Sequence, residues 1–526
     1  MRMDNIQDLP YKPGTILKDV EMDEIIMYCR NDLDATDEFF KLSNKHIKIR
    51  EFYSNLEGIN LINASETKIA KEVFGKYLSK DMGISYKDLK LKRTNRYHID
   101  IKDIIFPYIK FNDPVNQRLL DFFNNFVWKS NDEGYSSKIA YSNSYVNVNR
   151  EYGEGGLHSF SKAGIYESND EYMVYDLDFA SYYPHLSFKN KLHPKHIPEK
   201  IFSNKYEGFY TERKTYPKSD PRNYVLKIIL NSSYGLSKDK YAFLYDPKWQ
   251  LAITINGQLL LTMLTEWVVE RTSYCKILFE NTDGAAFVIK RSEKHLVDKI
   301  CQEMEQLSGI ALEAQECQKL IMRDVNNYIN VIDNDNIKFK GVYEIDRDYH
   351  KNHSKRIVSL AVANYFINNI EPSDTIKDHM NNSQYIFGKE YKNYGIYDYC
   401  IGNKSKGSNI LNERIVSKEG VKYNELGKVN RYYVSNKGNK LIKKMSPLEK
   451  NTITETDKLR ELTPTQVNIF DFIEDNTLVE AKDRESEIEA GYKCTLFNIY
   501  QKEKEYDLNY KYYFNEINKL IKPIIQ

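Results

Sequence analysis

The stretch Asn223 to Gly235, NYVLKIILNSSYG, leaves the chain little choice of local structure. At about 100° per residue it lays Lys227, Asn231 and Tyr234 along one helical face. Val225, Ile228, Ile229 and Ser232 fall on the opposite face. Such a helix packs with one side and presents a cation, an amide and a phenol with the other. Gly235 marks its expected stop. An ammonium one face-length from an aromatic ring suits a triphosphate and its base, the cation meeting phosphate charge and the ring meeting base or sugar. An ordinary amphipathic surface helix carries the same spacing, so the neighbouring segments have to decide.

Residues 172–180, YMVYDLDFA, alternate strictly. As a strand they turn Met173, Tyr175, Leu177 and Phe179 to one side for packing and Asp176, Asp178 and Ala180 to the other. Two carboxylates on one strand face need a cation or solvent. Residues 276–290 read as a hairpin turning at Asn281 to Gly284. Asp178 beside Asp283 on adjacent strands would form a divalent-metal site. Residues 140–170 also alternate like strands and contain Tyr152-Gly153-Glu154-Gly155-Gly156-Leu157-His158. No helix clearly follows those glycines, which argues against a dinucleotide-type phosphate loop. They suit either close approach of backbone to phosphates or a plain turn. Residues 320–345 read as further strand, with Lys338 and Lys340 on one face. That pair suits a row of phosphates or a solvated edge strand. His193-Pro194-Lys195-His196 reads as a loop, since two histidines without other ligands make no metal site.

Together these segments resemble family B DNA polymerases. Lys227-x-x-x-Asn231-Ser232-x-Tyr234-Gly235 is similar to that family's fingers motif. Asp178-Phe179-Ala180-Ser181-Tyr182-Tyr183-Pro184 resembles its first palm motif, D-x-x-S-x-Y-P. Asn281-Thr282-Asp283-Gly284 resembles its second, usually D-T-D-S or D-T-D-G. The three stand in family order, and the resemblance covers residues 150 to 345. It implies an α+β right-hand polymerase fold, with an antiparallel-sheet palm, short helical fingers and a thumb. The expected division is an exonuclease-domain remnant and helical linker over 1–130, palm over 131–187 and 241–346, fingers over 188–240 and thumb over 347–526.

The resemblance further implies template-directed addition of deoxynucleotides to a primer 3′ end, of the phage replicative type. The implied partners are primer–template DNA and dNTPs. Two Mg²⁺ ions, or Mn²⁺ in their place, would be bridged by Asp178 and Asp283, with the carbonyl of Phe179 as an extra oxygen. Lys227 and Arg213 would bind the triphosphate, with Lys214 as competitor for the second role. Phe179, Ser181, Tyr182 and Tyr183 would line the nucleotide, Tyr183 excluding a 2′-hydroxyl, and Asn231 and Tyr234 would line the base pair. Tyr152, Gly155 and Gly156 resemble the family's Y-x-G-G element against template DNA. Lys338, Lys340 and Tyr343 resemble its basic strand near the primer terminus. The usual first Asp of the second palm motif is Asn281 here. That position is the less critical one in the family, and Asp176 is placed to compensate.

The flanks are read more loosely. Residues 21–44 read as a helix in which Tyr28-x-x-x-Asp32 resembles the last of three motifs of a 3′–5′ exonuclease domain. The other two motifs should precede it by a hundred or more residues, yet only 27 residues precede Tyr28. The expectation is therefore a chain that begins inside that domain and does not proofread, the remainder lying on a separate chain. Residues 45–130 read as mostly helical, and a helix follows Ser354. A basic run from Arg431 to Lys444 reads as duplex-gripping, and 446–490 as long loops. Only 49 positions separate Asp178 from Lys227, too few for the insertion of protein-primed relatives. The competing functional readings are a DNA-binding relic and one subunit of a split polymerase inactive alone.

Composition adds bounds rather than identity. A net charge of +1 does not announce nucleic acid, so local clustering must. The 42 tyrosines and 76 Lys plus Arg suit stacking and phosphate contacts. An A+T-rich coding sequence enriches the same residues. Six scattered cysteines without a C-x-x-C pair read as reduced thiols in a cytosolic compartment, the host's if the chain is phage-encoded. No run approaches the ~20 apolar residues of a membrane span, so no membrane is expected.

Overall fold

A computed structural model of the chain describes residues 3–12, 14–131, 135–348, 351–404, 410–444, 485–501 and 504–526. It divides into two compact units, one of Ser43–Tyr343 with Lys522–Gln526 and one of Met1–Leu42 with Glu344–Ile521. Residues 1–42 fall in the smaller unit and 43–130 in the larger. Helix α1 (Asp19–Glu57) runs past the expected end near residue 44. Nothing between 45 and 57 breaks it, and Gly58, at φ +61°, supplies the left-handed stop.

In the larger unit, α2 (Glu66–Asp81) and α3 (Tyr86–Leu91) start on Ser65 and Ser85, whose hydroxyls accept from Lys68 N and Asp88 N. Strand β1 (His98–Asp100), α4 (Pro114–Asn125, with a proline in its first turn) and β2 (Val127–Lys129) follow. The remaining elements are β3 (Ala140–Tyr145), β4 (Val148–Gly153), β5 (Leu157–Phe160), β6 (Gly164–Glu167), β7 (Tyr172–Phe179), α5 (Tyr182–Lys189), α6 (Glu199–Lys214), α7 (Pro221–Leu236), α8 (Pro247–Arg271), β8 (Cys275–Asn281), β9 (Gly284–Lys290), α9 (Lys294–Ser308), β10 (Leu312–Cys317), β11 (Lys319–Asp324), β12 (Asn327–Asp333) and β13 (Asn336–Phe339). A seven-stranded sheet has the order β10-β7-β9-β8-β5-β4-β3, and a four-stranded sheet the order β13-β12-β11-β6.

Helix α8 is the axis of this unit. It is apolar and buried almost all round, as a core helix must be. Among the described residues it is the one helix long and apolar enough to cross a membrane, and 89% of that stretch is buried inside the protein. Its polar residues are used. Gln258 accepts from Gly153 N at 3.0 Å and donates to Gly153 O at 2.9 Å, and Asn256 donates to Ile104 O at 2.7 Å. The inward residues of β7, Met173, Tyr175, Leu177 and Phe179, join this core. On the other side of β7, Val174 packs with Leu278, Ala286, Leu320, Met322 and Ile332 in a second apolar cluster between the two sheets. Both faces of β7 are therefore covered at its start, and only its end carries carboxylates.

The smaller unit holds α10 (Arg356–Asn368), α11 (Pro372–Asp378), the pair β14 (Gln384–Ile386) and β15 (Lys389–Tyr391), β16 (Ile401–Lys404), β17 (Ile410–Ser417), β18 (Gly420–Glu425), β19 (Val429–Lys444), β20 (Glu485–Glu487), β21 (Lys493–Leu496) and most of α12 (Tyr510–Ile525). Its main sheet pairs β16, β17, β20 and β21 with the long β19. The basic run lies on β19 and is not an unopposed cationic surface. Arg431 is buried, its guanidinium 4.8 Å from the Tyr397 ring and 4.7 Å from the Phe497 ring. Lys440 pairs with Glu487 at 2.8 Å and Lys444 with Glu485 at 3.6 Å. Most of the loop expected over 446–490 lies outside the described residues, and its end forms β20.

Candidate active site

The hairpin of β8 and β9 turns at Thr282-Asp283, and β9 pairs antiparallel with β7 so that Gly284 stands opposite Asp178. Phe179 N donates to Asp283 O at 2.8 Å, which ties the two acidic segments together through the main chain. Gly284 is required by this approach. A Cβ there would lie 2.8 Å from Leu177 O and 3.0 Å from the Asp178 carboxylate. Asp178 and Asp283 both reach solvent, but the surrounding sheet limits their hydration. Burial raises the Asp178 carboxyl, and the charges of Asp283, Asp176 and Glu313 add to it, pushing it up to about 7. Burial pushes Asp176 up to about 6, with Lys338 and Lys340 opposing and Asp283 assisting. Asp283 is raised as well, again by burial, with Lys340 opposing. Carboxylate charge is thus concentrated around the end of β7 and the β8–β9 turn, with Lys338 and Lys340 opposing it.

Two non-glycine residues with positive φ stand beside these carboxylates, Ser181 at 49° and Thr282 at 55°. Backbone strain of this kind is of order 1–3 kcal/mol per residue and persists where the surroundings over-determine it. Here the surroundings are Tyr183 and the glycine turn between β4 and β5. Tyr183 donates to Gly155 O at 2.8 Å. Gly156 has φ +152°, and a Cβ on it would meet Thr282 Oγ1 and Tyr183 Oη at 3.3 Å each. Nothing lies within 4 Å of a Cβ placed on Gly155, so that residue presents open backbone. A Cβ on Gly257 of α8 would likewise lie 3.3 Å from the Tyr182 ring and 3.5 Å from the Tyr183 ring.

Helices α6 and α7 are adjacent in sequence and packed on each other. Lys227 and Asn231 are exposed on α7, while Val225, Ile228 and Ile229 are buried, as the face pattern requires. The helix ends at Leu236, one residue beyond the glycine expected to stop it. Tyr234 packs its ring 4.7 Å from Tyr183, and its hydroxyl is buried without a hydrogen-bond partner. Arg213 donates through Nε to Asn223 Oδ1 at 3.3 Å, and Asn223 returns a bond to Arg213 O at 3.2 Å. That exchange brings Arg213 to the start of α7, one turn before Lys227. The competing Lys214 instead holds its ammonium 4.5 Å from the Tyr210 ring.

Three assigned contact residues are buried. Tyr152 lies in the core, its hydroxyl 3.2 Å from Thr262 Oγ1. Tyr182 stacks on Phe179 at 4.5 Å and donates to Gly257 O at 2.7 Å. Tyr343 is fully buried after the short turn at Gly341. Their side chains lie in the core and not at the surface of the site. The aromatic ring of Phe179 is likewise buried, leaving its main chain at the site. Strand β13 stops at Phe339, so Lys340 and Gly341 stand outside it. Lys338 and Lys340 come within electrostatic reach of the carboxylates, a position the sequence reading had not assigned.

Glu313 was also missed. It stands directly opposite Asp178 on β10, and only that strand pairing reveals it. Arg150 and Glu280 form a fully buried two-point pair at 2.7 and 2.6 Å immediately before Asn281, with Arg150 also donating to Asn116 at 2.9 Å. They fix the end of β8 against β4. A further groove of about 740 Å³ beside Glu154 gathers Arg93, Tyr97, Tyr135, Lys238, Lys240 and Tyr241 from separate parts of the chain.

No three of His, Cys, Asp or Glu among the described residues converge as a complete metal cage. Mg²⁺ does not need one, because it takes one or two carboxylates and completes its shell with water and substrate phosphate. Asp178 and Asp283, which reach solvent and whose carboxyls are raised chiefly by burial, fit that requirement. Comparison with protein-family models finds no match for this chain, and comparison with curated proteins finds none.

Proposed function

We propose that this chain is a template-directed DNA polymerase that extends a primer 3′ end. The observation that carries the reading is the pairing of β7 with β9, which brings Asp178, at the end of β7, beside the turn that carries Asp283. The Lys227 face of α7, in ring contact with Tyr183 through Tyr234, supports the nucleotide side of the same reading.

Nucleotidyl transfer needs positioning and charge neutralisation rather than covalent help from the protein. Divalent cations held by Asp178 and Asp283 would supply the charge that draws the primer hydroxyl and the phosphate oxygens together. The protein's own part is to bind and orient. Lys227 and Arg213 receive the triphosphate as charge-assisted hydrogen-bond donors. The Tyr183 ring, fixed by its bond to Gly155 O, would lie under the sugar and exclude a 2′-hydroxyl. Lys338 and Lys340 oppose the carboxylate charge and would meet primer phosphates. The exposed backbone at Gly155 and the basic, aromatic groove beside it suit an unpaired template strand, by phosphate contact and stacking.

Primer extension by the purified chain with Mg²⁺ tests the reading. The wild-type chain extends a matched primer, and Asp283→Asn loses more than about a hundredfold in rate while binding primer–template normally. Absence of extension by the wild type favours a DNA-binding relic, and turnover by the variant within about tenfold of wild type removes Asp283 from the chemistry.

A further inference from the structure

Helix α1 carries a second feature that has no part in the site above. Met22, Ile26, Cys29, Leu33, Thr36 and Phe40 follow one another at spacings of 4, 3, 4, 3 and 4 residues. That is a heptad seam, which winds along one face of an α-helix over roughly 27 Å. The seam is open: Met22 is 48% exposed, Ile26 46%, Leu33 69% and Phe40 54%, and Cys29 is exposed. The rest of the unit packs on the other side of the helix. Asn31 donates to Asn5 O at 3.3 Å, Tyr11 donates to Glu24 at 2.5 Å, and Asn31, Asp34, Glu38 and Leu42 line a recess with Ile345, Arg347 and Tyr394. An apolar stripe facing away from its own core is a docking surface more often than an accident of composition.

The charge around the seam selects the occupant. Residues 19–42 carry eight acids and two bases, and Asp23, Asp32 and Asp37 flank the seam directly, against Arg30. We infer that this face receives an amphipathic helix of another chain, with an apolar heptad seam and basic flanking positions. Heptad spacing calls for a helix, because each apolar knob needs a hole formed by four residues of a facing helix. A second copy of α1 would set acid against acid, and an anionic lipid surface would repel the same flanks. The chain's own residues 445–484 hold nine acids against five bases and are no better matched.

The test uses the full chain and synthetic helices of about four heptads with Leu at both seam positions. One has Lys at the flanking positions and its twin has Glu. The Lys peptide binds the chain at least about tenfold more tightly than the Glu peptide at low salt, and the difference narrows as salt rises. Bound Lys peptide slows alkylation of Cys29, the exposed thiol, while Leu33→Asp weakens binding about tenfold or more and leaves the melting temperature unchanged. Equal binding of the two peptides overturns the proposal, as does binding that Leu33→Asp does not touch. A wild-type dimer that Leu33→Asp dissolves would make a second copy the occupant, and vesicle binding lost in the same variant would make it a membrane. Either result also overturns the proposal.

Discussion

Replacing Asp178 by Asn removes a charge the folded protein holds at a cost. Its carboxyl stands near 7 when folded against 3.8 for an unperturbed aspartate, so the folded state binds the proton more tightly than the unfolded chain. Stability from this group therefore falls as pH rises from about 4 to about 7, and the full penalty is present above that window. The shift corresponds to at most ~4 kcal/mol. Because the carboxylate reaches solvent, screening reduces this to about 1–2 kcal/mol. Asp178→Asn should then melt about 1–3 °C above wild type at pH 8 in metal-free buffer. At pH 5 the folded carboxyl is already protonated and only the unfolded chain still gains from ionising, so the gap falls to about a third. Added Mg²⁺ should raise the melting temperature of the wild type and not of the variant, since a ligand stabilises only the state that binds it. Calorimetry at the two pH values, with and without Mg²⁺, reads all three outcomes. A variant no more stable than wild type at pH 8, or equally shifted by Mg²⁺, refutes the crowded-carboxylate account.

Three other outcomes are expected. Lys227→Ala should raise the nucleotide concentration needed for half-maximal extension at least about tenfold while leaving primer–template affinity unchanged, since the proposed contact is to the triphosphate; steady-state extension and a DNA-binding titration separate the two. Tyr183→Ala should raise the ratio of ribo- to deoxyribonucleotide incorporation about tenfold or more, by opening the space a 2′-hydroxyl needs; an unchanged ratio places the sugar filter elsewhere. Asp32 is exposed on α1 and one turn from Tyr28, and among the described residues no three His, Cys, Asp or Glu converge there to hold two dications, so the chain alone should leave a mismatched 3′ end untrimmed in Mg²⁺; trimming that Asp32→Ala abolishes would reveal a nuclease site.

Periodicity made the framework of the site readable. The strict alternation of YMVYDLDFA placed Asp176 and Asp178 on one face of β7, and the 3.6-residue pattern of α7 set Lys227 and Asn231 apart from Val225 and Ile229. Both patterns are local, and the sheet and helix pair keep them. Glu313 was unreadable for the opposite reason. Its strand follows Asp178 by more than a hundred residues and gains meaning only by pairing with β7. In the sequence Lys338 and Lys340 suit a phosphate row or a solvated edge strand, and only the fold shows them within electrostatic reach of the carboxylates.

The tyrosines show where a motif stops being informative. Tyr152, Tyr182, Tyr183 and Tyr343 all fall within segments that suit DNA or nucleotide contact, and a sequence gives each the same ring and hydroxyl. Burial separates them, and burial is set by elements distant in the chain. Thr262 and Gly257, both on α8, receive the hydroxyls of Tyr152 and Tyr182 and draw those rings into the core. Tyr183 instead reaches the carbonyl of Gly155 in an open turn, so its ring stays at the surface of the site. A buried phenol needs a partner for its hydroxyl, and α8 supplies two of them from within an otherwise apolar helix. The polar residues of α8 are therefore the distant signal that assigns these aromatics to the core. Substituting Thr262 with Val should destabilise the protein through the stranded Tyr152 hydroxyl by about 1–3 kcal/mol while leaving nucleotide selectivity intact.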